Sequence, residues 1–94
     1  MTLYIERDVN PIHVNGTTSA EVSVTLTPSF VKFVRWYDAI SSGDLCHLVD
    51  SSSNTIMKMR AEIDHDTQMW PVYTRYNDIY CRDLDSGELF IYIR

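Results

Sequence analysis

Residues 27–43 read TPSFVKFVRWYDAISSG, and the fold class rests on them. Thr27 or Ser29 can cap a helix, Pro28 suits its first turn, and Gly43 is placed to end it in a left-handed conformation. At 100° per residue Phe30, Phe33, Val34, Tyr37 and Ile40 share one apolar arc, with Val31 and Trp36 on its margins. Lys32, Arg35 and Asp38 point away from that arc. The spacing predicts an amphipathic helix over 28–42 whose aromatic stripe is the core face of a helix on a sheet.

The segments around it read as strands. Residues 2–7, TLYIER, alternate and are rich in β-branched and aromatic side chains. PIHV (11–14) and TTSAEVSVTLT (17–27) flank Asn15-Gly16, a short hairpin signal. In the second arm Val22, Val24 and Leu26 share a face. DLCHLVD and TIMKMRAEID flank the polar tip SSSN (51–54), a second hairpin, with Met57, Met59, Ala61 and Ile63 on one side. IYCRDL and ELFIYIR flank Asp85-Ser86-Gly87 as a third. There Leu89, Ile91 and Ile93 face one way, and Phe90, Tyr92 and Arg94 the other. Trp70, Tyr73, Tyr76 and Tyr80 recur at intervals of three, three and four, which suggests a second short helix near 67–77. The expected fold is α+β, a single domain over 1–94. A mainly antiparallel sheet of five or six strands packs on the helix 28–42, and the element order is compatible with a ferredoxin-like plan.

Composition narrows the function. The net charge of −5 disfavours direct contact with nucleic-acid phosphates and anionic membranes. No apolar run approaches the ~20 residues needed to span a bilayer. The start, MTLYIERDVN, lacks a basic and then apolar leader, so a complete cytoplasmic chain is expected. Cys46 and Cys81 lack metal or redox spacing and suit buried, reduced thiols. Phosphate-binding glycine loops and nucleophile elbows are absent from the sequence. No catalytic residue, metal or cofactor is expected.

EIDHDTQMW (62–70) places two aspartates about a histidine. On a regular strand Asp64 and Asp66 share the solvent face with Glu62, and His65 opposes them, so the three cannot hold one ion. The region 64–88 is nonetheless distinctive. Its six acids face only Arg75 and Arg82, a net of −4, and it carries Trp70, Tyr73 and Tyr76. Aromatics with a polar tip amid acids suit a surface for a basic protein partner. The leading expectation is a small acidic protein that acts by occupying a partner's surface, as an inhibitor or adaptor, with a viral or mobile-element origin in keeping. Its candidate contacts are Trp70, Tyr73, Tyr76, Asp64, Asp66 and Asp78. The alternative is a small-ligand or nucleotide-binding module, with a site that could lie between subunits of a homo-oligomer. In that case Lys58, Arg60 or Arg75 would hold a phosphate.

Overall fold

The computed structural model describes residues 3–7, 9–24 and 28–94, and among them there is no helix. Nine strands run β1 (Tyr4–Glu6), β2 (Ile12–Asn15), β3 (Val22–Ser23), β4 (Ser29–Ala39), β5 (Leu45–Asp50), β6 (Thr55–Arg60), β7 (Asp66–Tyr76), β8 (Ile79–Leu84) and β9 (Glu88–Ile93). They form two antiparallel sheets, a five-stranded β1-β2-β9-β4-β7 and a four-stranded β3-β8-β5-β6. The fold is therefore all-β. The expected α+β plan, its helix at 28–42, the short helix near 67–77 and the ferredoxin-like order are all corrected.

The pairings nest. β5 pairs with β6, β4 with β7, β3 with β8 and β2 with β9. A long hairpin whose tip is the β5–β6 turn has been rolled so that its arms fall alternately into two sheets. That is jelly-roll topology, with β1 added at one edge. Among the consecutive strands of the described residues, only β1/β2 and β5/β6 pair with each other. Two of the expected hairpins are thus corners. β2 and β3 lie in different sheets although Asn15-Gly16 follows β2, and β8 and β9 part company across residues 85–87. Leu26 and the proposed cap at Thr27 lie outside the described residues.

The helical appearance of 27–43 has a physical origin in β-bulges. β4 buries Val31, Val34, Trp36 and Ala39. Those intervals of three, two and three arise because β4 carries one extra residue against β9 between Val31 and Phe33, and another against β7 between Trp36 and Ala39. Asp38 takes the second bulge with a φ of 58°. A bulge turns a step of two into a step of three, and two bulges in eleven residues imitate a 3.6-residue period. The same device acts in β7. There an extra residue lies between Pro71 and Thr74, with Tyr73 at φ 50°.

The core fills the space between the sheets. From the five-stranded sheet come Ile12, Val14, Val31, Val34, Trp36, Leu89 and Ile91. From the other come Cys46, Leu48, Met57, Met59, Ile79, Cys81 and Leu84. Trp36 is fully buried, and its indole Nε1 donates to the Ser86 carbonyl at 2.9 Å. Burial pushes the Cys46 thiol up, and that of Cys81 to about 12, so neither is a ready thiolate. The β5–β6 tip is built by Asp50, whose Oδ1 accepts the backbone N–H groups of Ser52 and Asn54, both at 2.9 Å. Those bonds, the Asn54 one first, hold its carboxyl below the usual range. Among the described residues no helix is long and apolar enough to cross a membrane.

Candidate functional site

β7 is an edge strand, and its composition would make a bare edge hazardous. Eleven residues with a free side can pair with another chain. Pro71, in the middle, has no N–H to offer, and the Tyr73 bulge breaks the line of donors, so the edge resists extension by another strand. Its side chains are available instead. Met69, Trp70 and Tyr73 are exposed, Trp70 at 42 % and Tyr73 at 68 %. Tyr76 is half-buried and packs against the core. Trp70 stands opposite Val34, on the side of the strand facing β6, and beside it Gln68 crosses the gap to donate to the Arg60 carbonyl at 2.7 Å.

One end of this strand runs into a pair of loops joined by backbone bonds. Gly43 N–H donates to the Ala61 carbonyl at 2.8 Å, Ala61 N–H to the Asp44 carbonyl at 2.8 Å, and His65 N–H to the Ile40 carbonyl at 3.1 Å. The residues of the Asp-His-Asp run separate here. The Asp64 carboxylate accepts the Ser42 N–H at 2.9 Å. The His65 ring meets Asp38 at 2.7 Å. Asp66 accepts the Glu62 N–H at 2.8 Å and the Gln68 amide at 2.7 Å, and these bonds, the backbone one first, lower its carboxyl pKa. All three brace loops, and among the described residues no group of three or more His, Cys, Asp or Glu is placed to hold a metal. Their charges still ring two exposed loop isoleucines, Ile40 and Ile63. Ile63, expected with Met57, Met59 and Ala61 on one face, leaves it because β6 ends at Arg60.

The remaining predicted residues lie elsewhere. Asp78 is beyond the opposite end of β7, where it accepts hydrogen bonds from the Ser23 hydroxyl and the Tyr80 phenol, both at 3.2 Å. It does not join Asp64 and Asp66. Lys58 and Arg60 point outward from β6 in the four-stranded sheet, and Arg60 donates to the Gly43 carbonyl at 3.1 Å. Arg75 is on β7 in the other sheet, opposite Phe30. The three cations therefore converge on no common pocket. An open groove of about 480 Å³ is lined by Thr17, Thr18, Ser19, Ala20, Leu84 and Asp85, none of them cationic or aromatic.

Sequence reasoning missed Ile40, Ile63 and Met69. Their signal was available for the first two, since each is an isolated large aliphatic among Ser, Asp and Glu, where a loop offers no core to enter. No protein-family model, characterised protein sequence or solved structure matches the chain.

Proposed function

We propose that this chain is a binding protein, without chemistry of its own, that occupies a surface of a partner protein in the manner of an inhibitor or adaptor. One observation carries the reading. Of the eight large hydrophobic side chains exposed among the described residues, five (Ile40, Ile63, Met69, Trp70 and Tyr73) lie along β7 and the two loops joined to its start. Such side chains scattered singly need no explanation, but a run of them along one flank marks an interaction surface. Asp38, Glu62, Asp64 and Asp66 surround the loop end of that flank, so a partner with basic residues about an apolar pocket complements it. The two free, buried cysteines suit a reducing compartment, and we place the protein in the cytoplasm on that ground.

The test is capture from source lysate with the wild-type chain and with Trp70→Ala and Met69→Ser, followed by titration of the captured partner. Each substitution should weaken binding by about 2 kcal/mol or more, as for a central anchor, while the thermal midpoint is kept. Glu62→Gln with Asp64→Asn should slow association, and added salt should mute the difference. A partner captured equally by all variants would move the interface off this flank.

A further inference from the structure

The outer face of the five-stranded sheet, which meets the β7 flank at Met69, carries a further pattern. Its outward side chains fall into rows across the strands. One row is Tyr4, Asn15, Glu88 and Tyr37, and the next is Glu6, His13, Phe90, Arg35 and Met69. The third holds Tyr92, Phe33 and Pro71. Beyond it come Arg94, whose guanidinium lies 5.1 Å from the Phe30 ring centre, Phe30 itself and Arg75, with Lys32 in the adjacent bulge. The face thus runs from acid, through two aromatic rows, to base. β9 shows it most plainly: its outward residues are Glu88, Phe90, Tyr92 and Arg94.

We infer that this face is a self-association surface, on which a second copy of the chain packs about a two-fold axis lying across the strands between the Phe90 and Tyr92 rows. Such an axis leaves each strand over its own counterpart and reverses its direction. Glu88 of one copy then lies over Arg94 of the other, and Phe90 over Tyr92, twice each by symmetry. On β4, Tyr37 falls over Phe30 and Lys32, and Arg35 over Phe33. The residues that β9 presents are complementary to themselves under this operation, ring over ring and acid over base, which an arrangement of arbitrary order would not be.

Three further observations favour a second copy over another occupant. Two chains of charge −5 repel at most orientations. This face carries none of that acidic excess, since its four cations (Lys32, Arg35, Arg75 and Arg94) outnumber Glu6 and Glu88, and the two Glu88–Arg94 pairs across the axis offset the repulsion among its own cations. The area is adequate, because a body with extents of 33 × 25 × 24 Å offers on the order of 600–800 Å² on a face, near the ~800 Å² per partner of a stable interface. The rings are also unsuited to nucleotide bases, despite the cations beside them. Phe33 and Tyr92 stack on each other at 4.3 Å, and His13 and Phe90 at 4.7 Å. Arg94 lies over Phe30 and Arg35 over Tyr37. Rings stacked at the spacing of neighbouring strands stand on edge, and each already has one face taken. Edge-on aromatic ridges interdigitate with a second sheet at about 10 Å, as in a sandwich core.

The experiment is sedimentation equilibrium of the full chain across a dilution series, with Glu88→Arg, Arg94→Glu and an equimolar mixture of the two. The wild type should reach twice the 10.9 kDa chain mass. Each variant should associate at least ten-fold more weakly, because like charges now meet twice across the axis. The mixture should recover the doubled mass as a heterodimer, since both trans pairs are then opposite in sign. Recovery also shows that each variant is folded. A wild type that stays monomeric at its highest attainable concentration overturns the proposal, as does a dimer indifferent to both changes or a mixture that stays monomeric. A labelled oligothymidine should not bind. Oligothymidine bound by the wild type and lost in Arg94→Glu would assign the face to single-stranded nucleic acid instead. Neither Glu88 nor Arg94 belongs to the β7 flank, so failure here leaves the flank reading standing and separately testable.

Discussion

Trp36 and Tyr37 are adjacent in sequence and opposite in fate, and replacing each tests the phase of β4. Trp36 is fully buried and its Nε1–H is the partner of the Ser86 carbonyl, whereas Tyr37 is 46 % exposed on the outer face. Trp36→Ala removes most of a core ring, a loss of about 3–5 kcal/mol. That is a large part of the ~5–14 kcal/mol a chain of this size holds in total. Trp36→Phe is the more informative change because the protein should stay folded. The phenyl ring keeps most of the apolar contact but cannot donate, and a buried carbonyl left without its donor costs about 1–3 kcal/mol. Tyr37→Ala should cost about 1 kcal/mol or less, since it leaves neither a cavity nor an orphan. Urea melts followed by far-UV circular dichroism give the comparison. The fluorescence of Trp36→Phe, with Trp70 its only indole, should be that of a partly solvated ring. The reasoning fails if Tyr37→Ala proves as damaging as Trp36→Phe, because β4 would then present its other face to the core.

Gly87→Ala should lower stability by about 2 kcal/mol or more. Its φ is +77°, and an added Cβ would sit 2.6 Å from the Tyr37 carbonyl oxygen and 2.9 Å from that of Asp38, backbone that cannot step aside. A thermal midpoint unchanged from wild type would show that the 85–87 corner does not pack there. His47 is nearly buried, bonded to the Thr55 hydroxyl at 2.9 Å, and its pKa is lowered by desolvation first and by Lys58 and Arg82 after, against Asp83 and Glu21. A histidine whose folded pKa lies below its unfolded value binds protons more readily when unfolded. Its contribution is therefore present above the unfolded pKa of ~6.5 and is lost as pH falls toward the folded value. Comparing urea midpoints of wild type and His47→Gln should show a smaller loss on acidification through that window in the variant. Equal losses would assign the effect to other groups.

Several parts of this architecture can be read directly from residues. The β5–β6 hairpin is legible because Asp50, the three serines and Asn54 can form only a turn there, and because Met57 and Met59 alternate without interruption. The alternation of β9 and the burial of both cysteines are legible for the same reason. β4 is not, since its two bulges insert residues that no propensity marks. Lys32 and Asp38 look like the polar face of a helix, yet they are the positions that push the apolar spacing from two to three. Nor can alternation say which sheet a strand joins. β8 and β9 alternate as hairpin arms would, and only the packing of both faces shows that residues 85–87 turn a corner. Of the candidate surface, Trp70 and Tyr73 were identifiable as polar-tipped rings among acids. The loops that bring Ile40 and Ile63 to the start of the same strand depend on long-range backbone bonds that local sequence does not encode.

The position of β9 between β2 and β4 governs how the chain comes together. Until residues 88–93 have been synthesised, the five-stranded sheet consists of two separate ribbons, β1-β2 and β4-β7, with a slot one strand wide between them. Val14 and Val34 face the core from either side of that slot. Folding on the ribosome is thereby deferred to the end of this segment, and the waiting intermediate exposes two apolar, unpaired edges that another molecule's β9 could fill as readily as its own. The same slot makes the protein divisible. A chain stopped at Gly87 holds four strands of that sheet and a separate peptide of residues 88–94 the fifth, and the peptide's insertion would act as the switch that completes it.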